Sequence, residues 1–427
     1  MMHPNVFSEI GRLRSVLVHS PGPEVENMPP SMMRELLFDD ILHGARAREE
    51  HQRFRAVLER LGVEVHDTQD LLREALEHRP GFIPELLDYV RDLEAPGPDV
   101  VDDLARLEPR DLADALVHGL PSLPGQIEPD LLFRLQPLPN LLFSRDPQIV
   151  LGDGVVIGAM SRSARRREPL LSRFVFRNHP ELEGTPILAD YLRPRRGQSW
   201  EKNVLPTLEG GDVLVFDEGV VIVGVSERTM ERAVDRLVSR LREQGSFETL
   251  IMVSMPHARS AMHLDTIFTR VSKDECLVYS PMILPGSPET LSVVRIDLRQ
   301  RDDWGVRRPS LLEALSEVGV VLEPICCGGP DDYLQQSREQ WTDGANSFAV
   351  RPGVVLLYSR NTSTALEFAR RGYELVSVCD IAFGDDGACL HDFAEDGKYA
   401  ILIAGGELSR ARGGPRCMTM PLQRDVV

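Results

Sequence analysis

Cysteines at metal-ligand or disulfide-framework spacing, excess positive charge and long apolar runs are all missing from this chain of 427 residues. Acidic residues outnumber basic ones by 66 to 48, and the net charge of −18 argues against a nucleic-acid partner. No apolar run reaches the roughly 18 residues of a membrane span, and the first residues lack the pattern of a signal peptide. The cysteines have no disulfide-framework or zinc spacing, which predicts a reduced, cytoplasmic protein: Cys276, Cys326, Cys327, Cys379, Cys389 and Cys417.

What is present is the composition of an ordinary globular protein, with 42% apolar and 27% charged residues. Five apolar runs recur along the chain, each typical of a buried strand and each followed by a helical pattern. Such a repeat predicts an α/β fold in which the units form a closed cyclic array. The runs are Arg14-Ser-Val-Leu-Val-His-Ser20, Gly154-Val-Val-Ile-Gly158, Gly219-Val-Val-Ile-Val-Gly224, Glu275-Cys-Leu-Val-Tyr-Ser280 and Gly353-Val-Val-Leu-Leu-Tyr358.

The helical patterns divide the chain into two parts. Residues between about 70 and 136 contain no β-rich run, but several helical patterns broken by proline and glycine. We therefore predict a catalytic α/β domain formed by residues 1–69 and 137–427, interrupted by an all-helical insertion over residues 70–136. Two helices of the catalytic domain are predicted from apolar residues at helical spacing, Phe54 to Leu61 and Met230 to Leu241.

Polar residues stand at equivalent positions in these repeats. Asp146, Asp212 and Asn346 lie seven or eight residues before the glycine that opens a strand run, and Asp265 lies ahead of another run. If the units surround an axis, these side chains meet at one end of the array. Each acid alone is better explained as a cap, a turn residue or part of a surface salt bridge, and only the set of motifs favours a common site.

Cys417 follows two glycines and a proline, and Arg412 and Arg416 stand shortly before it. Glycines let the backbone approach a ligand, and Arg412 and Arg416 would favour the thiolate. The alternative is a buried cysteine that behaves as a small hydrophobe. The motifs Glu209-Gly-Gly-Asp212 and His263-Leu-Asp265 favour a nucleophile, because they supply the other groups that a thiol enzyme needs.

Carboxylates crowded around a thiol require a cation. Neither His263-x-Asp265 nor Cys389-x-His391 has the spacing of a metal motif, so an organic cation is predicted instead. A guanidinium suits carboxylates because it donates bidentate hydrogen bonds. A thiolate can attack its carbon while His263 moves protons. Two basic runs, at 165–167 and 193–196, fit either a solvated face or the binding of a substrate carboxylate.

Together these motifs resemble the arginine deiminases, over essentially the whole chain including the helical segment. The resemblance implies a five-bladed α/β propeller of the guanidino-group-modifying superfamily, which hydrolyses L-arginine to L-citrulline and ammonia. It also implies a cytoplasmic homo-oligomer that needs no cofactor or metal. The motifs are Phe7-Ser-Glu-Ile-Gly-Arg-Leu-Arg-Ser-Val-Leu-Val-His19, Leu36-Leu-Phe-Asp-Asp40, Pro139-Asn-Leu-Leu-Phe-Ser-Arg-Asp146, Leu208-Glu-Gly-Gly-Asp212, Met262-His-Leu-Asp-Thr266, Trp341-Thr-Asp-Gly-Ala-Asn346 and Arg412-Gly-Gly-Pro-Arg-Cys-Met418.

The resemblance also implies a role for each matching residue. Cys417 would form a covalent amidino-thioether, with His263 as general acid and then base, and Glu209 would orient His263. Asp146 and Asp265 would hold the guanidinium. The remaining matches are Phe143, which would pack against the guanidinium, Asn140, Arg165 and Arg228, which would bind the substrate carboxylate, and Arg412, on the loop that closes the pocket.

One position departs from the family's pattern. Ala411 stands where a glycine is usual, and its methyl group would alter loop closure if that backbone needs positive φ. Three other functions stay open: an amidinotransferase, a deiminase acting on a related compound such as agmatine, and a non-catalytic arginine-binding protein. Arg165 and Arg228 argue against agmatine, which has no carboxylate. A nucleotide fold is disfavoured because the G-x-G-x-x-G spacing is missing.

Overall fold

A computed structural model describes residues 2–122, 132–192, 206–287, 289–378 and 391–427. The α-helices in these ranges are α1 (Pro23–Glu26), α2 (Gly44–Arg60), α3 (Thr68–His78), α4 (Ile83–Glu94), α5 (Pro98–Leu104), α6 (Pro109–His118), α7 (Arg167–Asn178), α8 (Glu231–Gln244), α9 (Ser280–Ile283), α10 (Leu311–Ser316), α11 (Tyr333–Trp341) and α12 (Thr362–Arg370). The strands are β1 (Leu13–Val18), β2 (Glu64–Asp67), β3 (Leu120–Pro121), β4 (Phe133–Leu135), β5 (Gln148–Leu151), β6 (Gly154–Ile157), β7 (Ile187–Asp190), β8 (Val213–Asp217), β9 (Val220–Val225), β10 (Thr249–Ser254), β11 (Phe268–Arg270), β12 (Glu275–Val278), β13 (Val293–Asp297), β14 (Val306–Arg308), β15 (Glu323–Cys326), β16 (Phe348–Arg351), β17 (Val354–Tyr358), β18 (Glu374–Ser377), β19 (Tyr399–Ile403) and β20 (Met420–Arg424).

Five sheets share one pattern, in which a central strand pairs antiparallel on one side and parallel on the other. Four are local in sequence: β5-β6-β7, β8-β9-β10, β11-β12-β15 and β16-β17-β19. The fifth joins distant parts of the chain, since β20 pairs antiparallel with β1 and β1 pairs parallel with β2. Strand β20 thus takes the place that the first strand of each hairpin takes elsewhere.

All five apolar runs lie on the central strands of these sheets, so the strand predictions are confirmed: β1, β6, β9, β12 and β17. Strands β5, β6 and β17 are buried at every position, as expected for strands covered on both faces. The structure adds a hairpin that was not predicted, because β13 and β14 extend the second sheet beyond β10.

The two predicted helices are also confirmed. Helix α8 buries the apolar stripe that its sequence predicts, from Ala233 to Leu241, and ends at Gly245, whose left-handed backbone caps it. Helix α2 buries Phe54, Val57 and Leu58 on one face in the same way.

The segment predicted as an insertion contains helices α3 to α6. Helix α3 packs against α6 and α7, and α4 packs against α5 and α7. The segment is not wholly helical, because β3 and β4 form a short antiparallel pair near its end. Residues 123–131 lie outside the described ranges, and the boundaries 70 and 136 stay a prediction. Among the described helices, none combines the length and hydrophobicity that crossing a bilayer requires.

Candidate active site

The positions just before the first strand of each hairpin carry the polar residues singled out by sequence. Asp146, Asp212, Asp265, Asn346 and Cys417 precede β5, β8, β11, β16 and β20 by one to three residues. The strand order therefore gives Cys417 the same place in its sheet that the acids have in theirs. The sequence pattern assigned equivalent positions to four of these five residues. It did not do so for Cys417, because the strand that follows Cys417 pairs with β1, which is distant in sequence.

His263 lies between two carboxylates. One ring nitrogen, Nε2, is 2.9 Å from Glu209 Oε2, and the other, Nδ1, is 3.7 Å from Asp146 Oδ1. Burial on its own lowers the pKa of His263, but the charge of Asp146 and the hydrogen bond to Glu209 outweigh it and raise the pKa to about 9. The imidazole is therefore charged at neutral pH and can donate a proton.

Glu209 is the counterion that keeps this histidine charged. Its burial raises the pKa, yet the hydrogen bond from His263 and the charge of Arg228 lower it to about 2. The other carboxylate oxygen accepts a hydrogen bond from the backbone N–H of Ser161 at 2.8 Å. Glu209 is fully buried behind His263, so it can orient the ring without meeting a ligand.

The two glycines after Glu209 are required by close approaches. A Cβ atom on Gly210 would lie 2.0 Å from the carbonyl oxygen of Arg145, and one on Gly211 would lie 2.5 Å from His263 Nδ1. The N–H of Gly211 donates to Asp146 Oδ1 at 3.1 Å. Glycine at both positions lets the chain pass directly beneath the histidine.

Asp212 supports the histidine loop from behind. Its carboxylate accepts hydrogen bonds from Ser226 Oγ at 2.7 Å and from the backbone N–H of Leu264 at 3.0 Å. Burial raises the pKa of Asp212 to about 7, although the charge of His263 opposes this. The sequence grouped Asp212 with the central acids, whereas the structure gives it a supporting position next to residue 263.

Asn346 holds the loop that carries Cys417. Its Oδ1 accepts from the N–H groups of Cys417 and Arg416, both at 3.1 Å, and its Nδ2 donates to the carbonyl oxygen of Asp265 at 3.0 Å. A Cβ on Gly414 would lie 2.6 Å from Asn346 Oδ1. The loop therefore lies against Asn346 too tightly for any side chain at position 414.

The sulfur of Cys417 has an acidic neighbour rather than a basic one. Its Sγ is 3.7 Å from Asp265 Oδ2, and burial together with the charges of Asp265 and Asp146 raises the pKa of the thiol well above its usual value. The prediction that Arg412 and Arg416 favour the thiolate is therefore wrong for the free protein. Those two arginines are held by other groups.

Arg416 is paired entirely within the protein. It donates to Asp265 Oδ2 at 2.8 Å, to both carboxylate oxygens of Glu9 at 3.0 Å and to the carbonyl oxygen of Val213 at 3.1 Å. Because its guanidinium is fully used in this way, it holds Asp265 in place instead of stabilising a charge on sulfur.

Arg165 makes the corresponding contact with Asp146. Its Nη1 donates to Asp146 Oδ2 at 2.7 Å, its Nε and Nη2 donate to the two oxygens of Glu168 at 2.9 and 2.8 Å, and Nη2 also donates to the carbonyl oxygen of Asn140 at 3.2 Å. Arg228 lies nearby, with Nη1 3.8 Å from Glu209 Oε2. Glu168 was not predicted, although its i+3 spacing from Arg165 is the spacing of a helical ion pair.

Arg412 lies on the loop over the pocket in an unusual conformation. Its φ is +69°, which costs energy for a residue with a side chain, and its guanidinium lies 3.5 Å from the ring centre of Trp341. Ala411 is not among the described non-glycine residues with positive φ. Its methyl group therefore causes no backbone strain, and the positive φ falls one residue later.

These side chains line a narrow pocket with about 20 Å³ of free volume, enough for about one water molecule. Arg165, Arg228 or the loop with Arg412 must therefore shift before a larger molecule can enter. Glu209 and Asp265 are fully buried behind the lining. The predicted residues in the lining are Asn140, Phe143, Asp146, Arg165, Arg228, His263, Arg412 and Cys417, and the others are Leu37, Arg259, Met262, Thr266 and Ala411.

One group in the pocket meets the distance requirement of a metal site. Ligand atoms of Asp146, Glu209 and His263 lie within 4.8 Å of one another. Arg165 Nη1, however, is 2.7 Å from Asp146 and 4.0 Å from Glu209, so a guanidinium already supplies positive charge to these carboxylates. Arg165 and a metal ion would repel each other, and the residues fit an organic cation better. Cys389, of the Cys389-x-His391 pair considered from the sequence, lies outside the described residues.

Comparison with known sequences identifies the family. The family model for arginine deiminase matches residues 34–94 and 125–424. The chain belongs to the arginine deiminase family. It is 33% identical to the arginine deiminase of Clostridium perfringens over 444 residues, which cover 99% of this chain and 98% of that protein. It is also 33% identical to the arginine deiminase of Bacillus cereus, with 99% of both chains covered.

Solved structures of low sequence identity share the fold of this arginine deiminase family member. The amidinotransferase SxtG of Microseira wollei superposes with a TM-score of 0.54 at 14% identity, covering 99% of this chain and 98% of that one. The substrate-bound N-terminal domain of ArgZ, a cyanobacterial arginine dihydrolase, superposes with a TM-score of 0.51 at 12% identity, covering 97% and 99%. The chain thus has the mixed α/β fold that these two enzymes share.

Proposed function

We propose that the chain hydrolyses L-arginine to L-citrulline and ammonia in this pocket, with Cys417 as the nucleophile. The observation that carries the proposal is the meeting of a thiol, a charged histidine and two carboxylates around one cavity. Asp146, His263 and Cys417 reach it from three different sheets, and Asp265 lies 3.7 Å from the sulfur. Membership of the arginine deiminase family supports the same reaction.

The raised pKa of Cys417 gives the substrate a part in its own activation. In the free protein the nearby carboxylates keep the thiol neutral. A guanidinium that enters between Asp146 and Asp265 adds positive charge beside the sulfur, which favours the thiolate. The thiol proton is lost to solvent as the substrate binds, so a reactive thiolate forms only when the electrophile is present.

The reaction then takes two steps. In the first, the thiolate forms a bond to the guanidinium carbon, and His263 protonates the leaving nitrogen, which departs as ammonia. This leaves a covalent amidino-thioether on Cys417 and a neutral imidazole. In the second, that imidazole removes a proton from water, the water oxygen bonds to the carbon, and the carbon–sulfur bond breaks to release citrulline. Glu209 holds His263 in position through both steps.

The carboxylates are suited to guanidinium, as their present partners indicate. Asp146 and Asp265 each accept a hydrogen bond from an arginine of the chain itself, at 2.7 and 2.8 Å. We propose that the substrate replaces Arg165 on Asp146, and that Arg165 turns to the substrate carboxylate while it stays paired with Glu168. The proposed remaining groups around the substrate are Asn140, Arg228 and Arg412 at its carboxylate end and Phe143 against its guanidinium.

The architecture that brings these groups together is proposed to be a five-bladed pseudo-symmetric propeller. The five sheets of matching pattern and the pairing of β20 with β1 support it. In this scheme residues 1–69 and 137–427 form the catalytic propeller, and residues 70–136 form the helical insertion outside it. The cytoplasmic location and the homo-oligomeric state stay predictions.

The decisive experiment is to trap the covalent intermediate. Protein mixed with arginine labelled in the guanidinium carbon and quenched in acid should carry the label on Cys417, as read by peptide mass spectrometry. Cys417→Ser should fold normally but lose turnover, because the serine hydroxyl is a far weaker nucleophile. Cys326→Ser, which changes a thiol away from the pocket, is the matched control and should keep full activity.

Two results would contradict this assignment: label on another cysteine, or a Cys417→Ser variant with near-normal activity. The same assay separates the closest alternative reaction. Because an amidinotransferase delivers the carbon to an amine, it would retain the label in an amidino product and release no ammonia. Ammonia and citrulline in equal amounts therefore indicate hydrolysis.

A further inference from the structure

Arg167, the first residue of α7, is fully buried and points away from the pocket. Its Nε donates to the carbonyl oxygen of Leu116 in α6 at 2.9 Å, and its Nη1 lies 2.6 Å from Glu94 Oε2 at the end of α4. Its Nη2 donates to the carbonyl oxygen of Gln136. One side chain thus joins α7 to the middle and the C-terminal end of the predicted insertion.

The neighbouring residue of α7 makes the opposite connection. Glu168 is fully buried and accepts hydrogen bonds from Nε and Nη2 of Arg165, whose Nη1 contacts Asp146 in the pocket. Consecutive residues of a helix point about 100° apart, so one turn can face two sites. Because Arg167 and Glu168 share that turn, a displacement of one moves the other, and with it Arg165.

A second connection runs beside Asn140. The backbone N–H of Leu138 donates to the carbonyl oxygen of Val117 in α6 at 2.9 Å, two residues before Asn140. The carbonyl oxygen of Asn140 in turn accepts from Arg165. Two groups proposed to bind the substrate carboxylate, Asn140 and Arg165, therefore each lie two residues from a contact with the insertion.

The charge of Arg167 is matched to this position. Its guanidinium lies at the C-terminal ends of α4 and α6, where helix dipoles favour a cation. Burial lowers the pKa of Arg167, and the charge of Glu94 opposes the shift. Displacing a buried cation with three partners is costly, because each lost contact leaves a buried polar group with neither a protein partner nor water to bind.

We propose that Arg167 is a positioning residue that fixes Arg165 through the first turn of α7, so that the helical insertion determines recognition of the substrate carboxylate. The inference rests on the proposed function, because it assumes that Arg165 binds that carboxylate. It gives the insertion a role in specificity although the insertion contributes no group to the pocket lining in the described residues.

The test compares Glu94→Gln and Arg167→Met with Arg73→Ala. Arg73 of α3 forms an ion pair with Asp114 of α6 at 2.6 Å. Loss of this ion pair weakens the insertion, but the pair itself does not involve α7. The measurements are kcat and KM for arginine, the Ki of agmatine as a competing ligand without a carboxylate, and the thermal unfolding of each variant. Arg165→Ala is included as the direct lesion.

Glu94→Gln and Arg167→Met should each raise KM for arginine about threefold to tenfold, less than Arg165→Ala, and should leave kcat and the Ki of agmatine near wild type. Arg73→Ala should leave kcat, KM for arginine and the Ki of agmatine unchanged. If Arg167→Met does not fold, the Glu94→Gln variant alone tests the positioning role, because glutamine has about the same volume as glutamate. Equal losses on arginine and agmatine, an unchanged KM, or the same KM change in Arg73→Ala would overturn the positioning role. An Arg165→Ala variant that does not separate the two ligands would instead refute the carboxylate assignment.

Discussion

Two histidines in this fold have similar immediate surroundings but different positions. His263 is hydrogen-bonded to Glu209 and has a second carboxylate close to its other nitrogen. His19 lies 3.4 Å from Asp67 and 3.4 Å from Glu24. Both rings are buried, with 3% and 1% of their surface exposed. By burial and neighbouring charge alone, neither would be preferred as the catalytic residue.

Their pKa values do not separate them either. Burial lowers the pKa of His19, but hydrogen bonds to Asp67 and Glu24 raise it to about 10, and the pKa of His263 is raised to about 9 for the same kind of reason. What differs is location. His263 lines the pocket with Cys417, whereas His19 connects the end of β1 to α1 and β2. A shifted pKa therefore indicates function only when a nucleophile and room for a ligand accompany it.

The largest effect is expected from exchanging the two histidines for asparagine. His263→Asn should lower kcat by about 10²- to 10⁴-fold, because general acid–base catalysis is lost. Its stability should fall less than that of His19→Asn, since Arg165 and Arg228 remain within 4.0 Å of Glu209. His19→Asn should do the reverse. It leaves two buried carboxylates without their cation, which costs about 3–5 kcal/mol of unfolding free energy.

Steady-state kinetics and denaturant unfolding on both variants test whether one substitution lowers mainly activity and the other mainly stability. The kinetics are measured at a temperature at which His19→Asn is fully folded. A loss of turnover in folded His19→Asn would show that the comparison is wrong and that the cluster around β1 acts on the pocket.

The next effect sharpens the distinction within the catalytic region itself. Arg165→Ala and Arg228→Ala should lower kcat/KM for arginine at least about tenfold, since one charge-assisted hydrogen bond is worth about 1.5–3 kcal/mol. Agmatine should lose much less, because it has no carboxylate to bind. Initial rates on both substrates decide the matter. An equal fall in kcat/KM on both substrates would indicate that these arginines support the reacting centre and do not bind the substrate carboxylate.

A pH profile should separate the two carboxylate partners. Glu209→Gln removes a negative charge that raises the pKa of His263, so the alkaline limb of kcat/KM, near pH 9 in the wild type, should move to lower pH. Glu24→Gln removes the corresponding charge beside His19 and should leave that limb unchanged. The profile is measured from pH 5 to 10 on each variant, and a shift in Glu24→Gln would contradict the separation.

The stability of Glu209→Gln should follow the same titrations. His263 contributes stability that is complete below its unfolded pKa of 6.5 and is lost as pH rises through about 9. Glu209 contributes stability that is present above 4.5 and is lost as pH falls through about 2. The difference in unfolding free energy between wild type and variant should therefore be largest between about pH 4.5 and 6.5 and should shrink toward pH 9. If the difference in unfolding free energy grows toward pH 9, the Glu209–His263 pair is not its source.

The smallest effect is expected at Ala411. Because the positive φ falls on Arg412, Ala411→Gly relieves no strain and should lower stability by about 1–2 kcal/mol through chain entropy and the loss of a buried methyl group. Thermal unfolding and kcat/KM for arginine test this. A large gain in activity would show that the methyl group hinders loop closure, against the geometry of the pocket.

The strands were predictable because their signal is local. Each central strand is a short apolar run, such as Val220 to Val223, and burial on both faces needs no knowledge of its partners. Hairpin β13–β14 was missed for the same reason. Its edge strand is exposed at Val306 and Arg307, so its sequence carries no buried pattern.

The pairing of charges could not be predicted in the same way. Arg416 stands next to Cys417 in sequence, and that adjacency predicted a thiolate. In the fold its guanidinium turns to Glu9, a partner 407 positions earlier, and to Asp265. No local pattern encodes which of many acids an arginine meets. The residues of the site were thus readable from motifs, but their protonation states depended on the tertiary structure.

The pairing of β20 with β1 has a consequence for the order in which the enzyme is made. A growing chain contains all the acids, His263 and most of the pocket arginines before Cys417 and β20 have been synthesised. Until then β1 keeps an unpaired edge, which is a hazard for aggregation, and the pocket has no sulfur. The strand that protects this edge is synthesised directly after the proposed nucleophile. We therefore expect an unfinished chain that lacks Cys417 not to react with arginine, and activity to begin only once the first sheet can be completed.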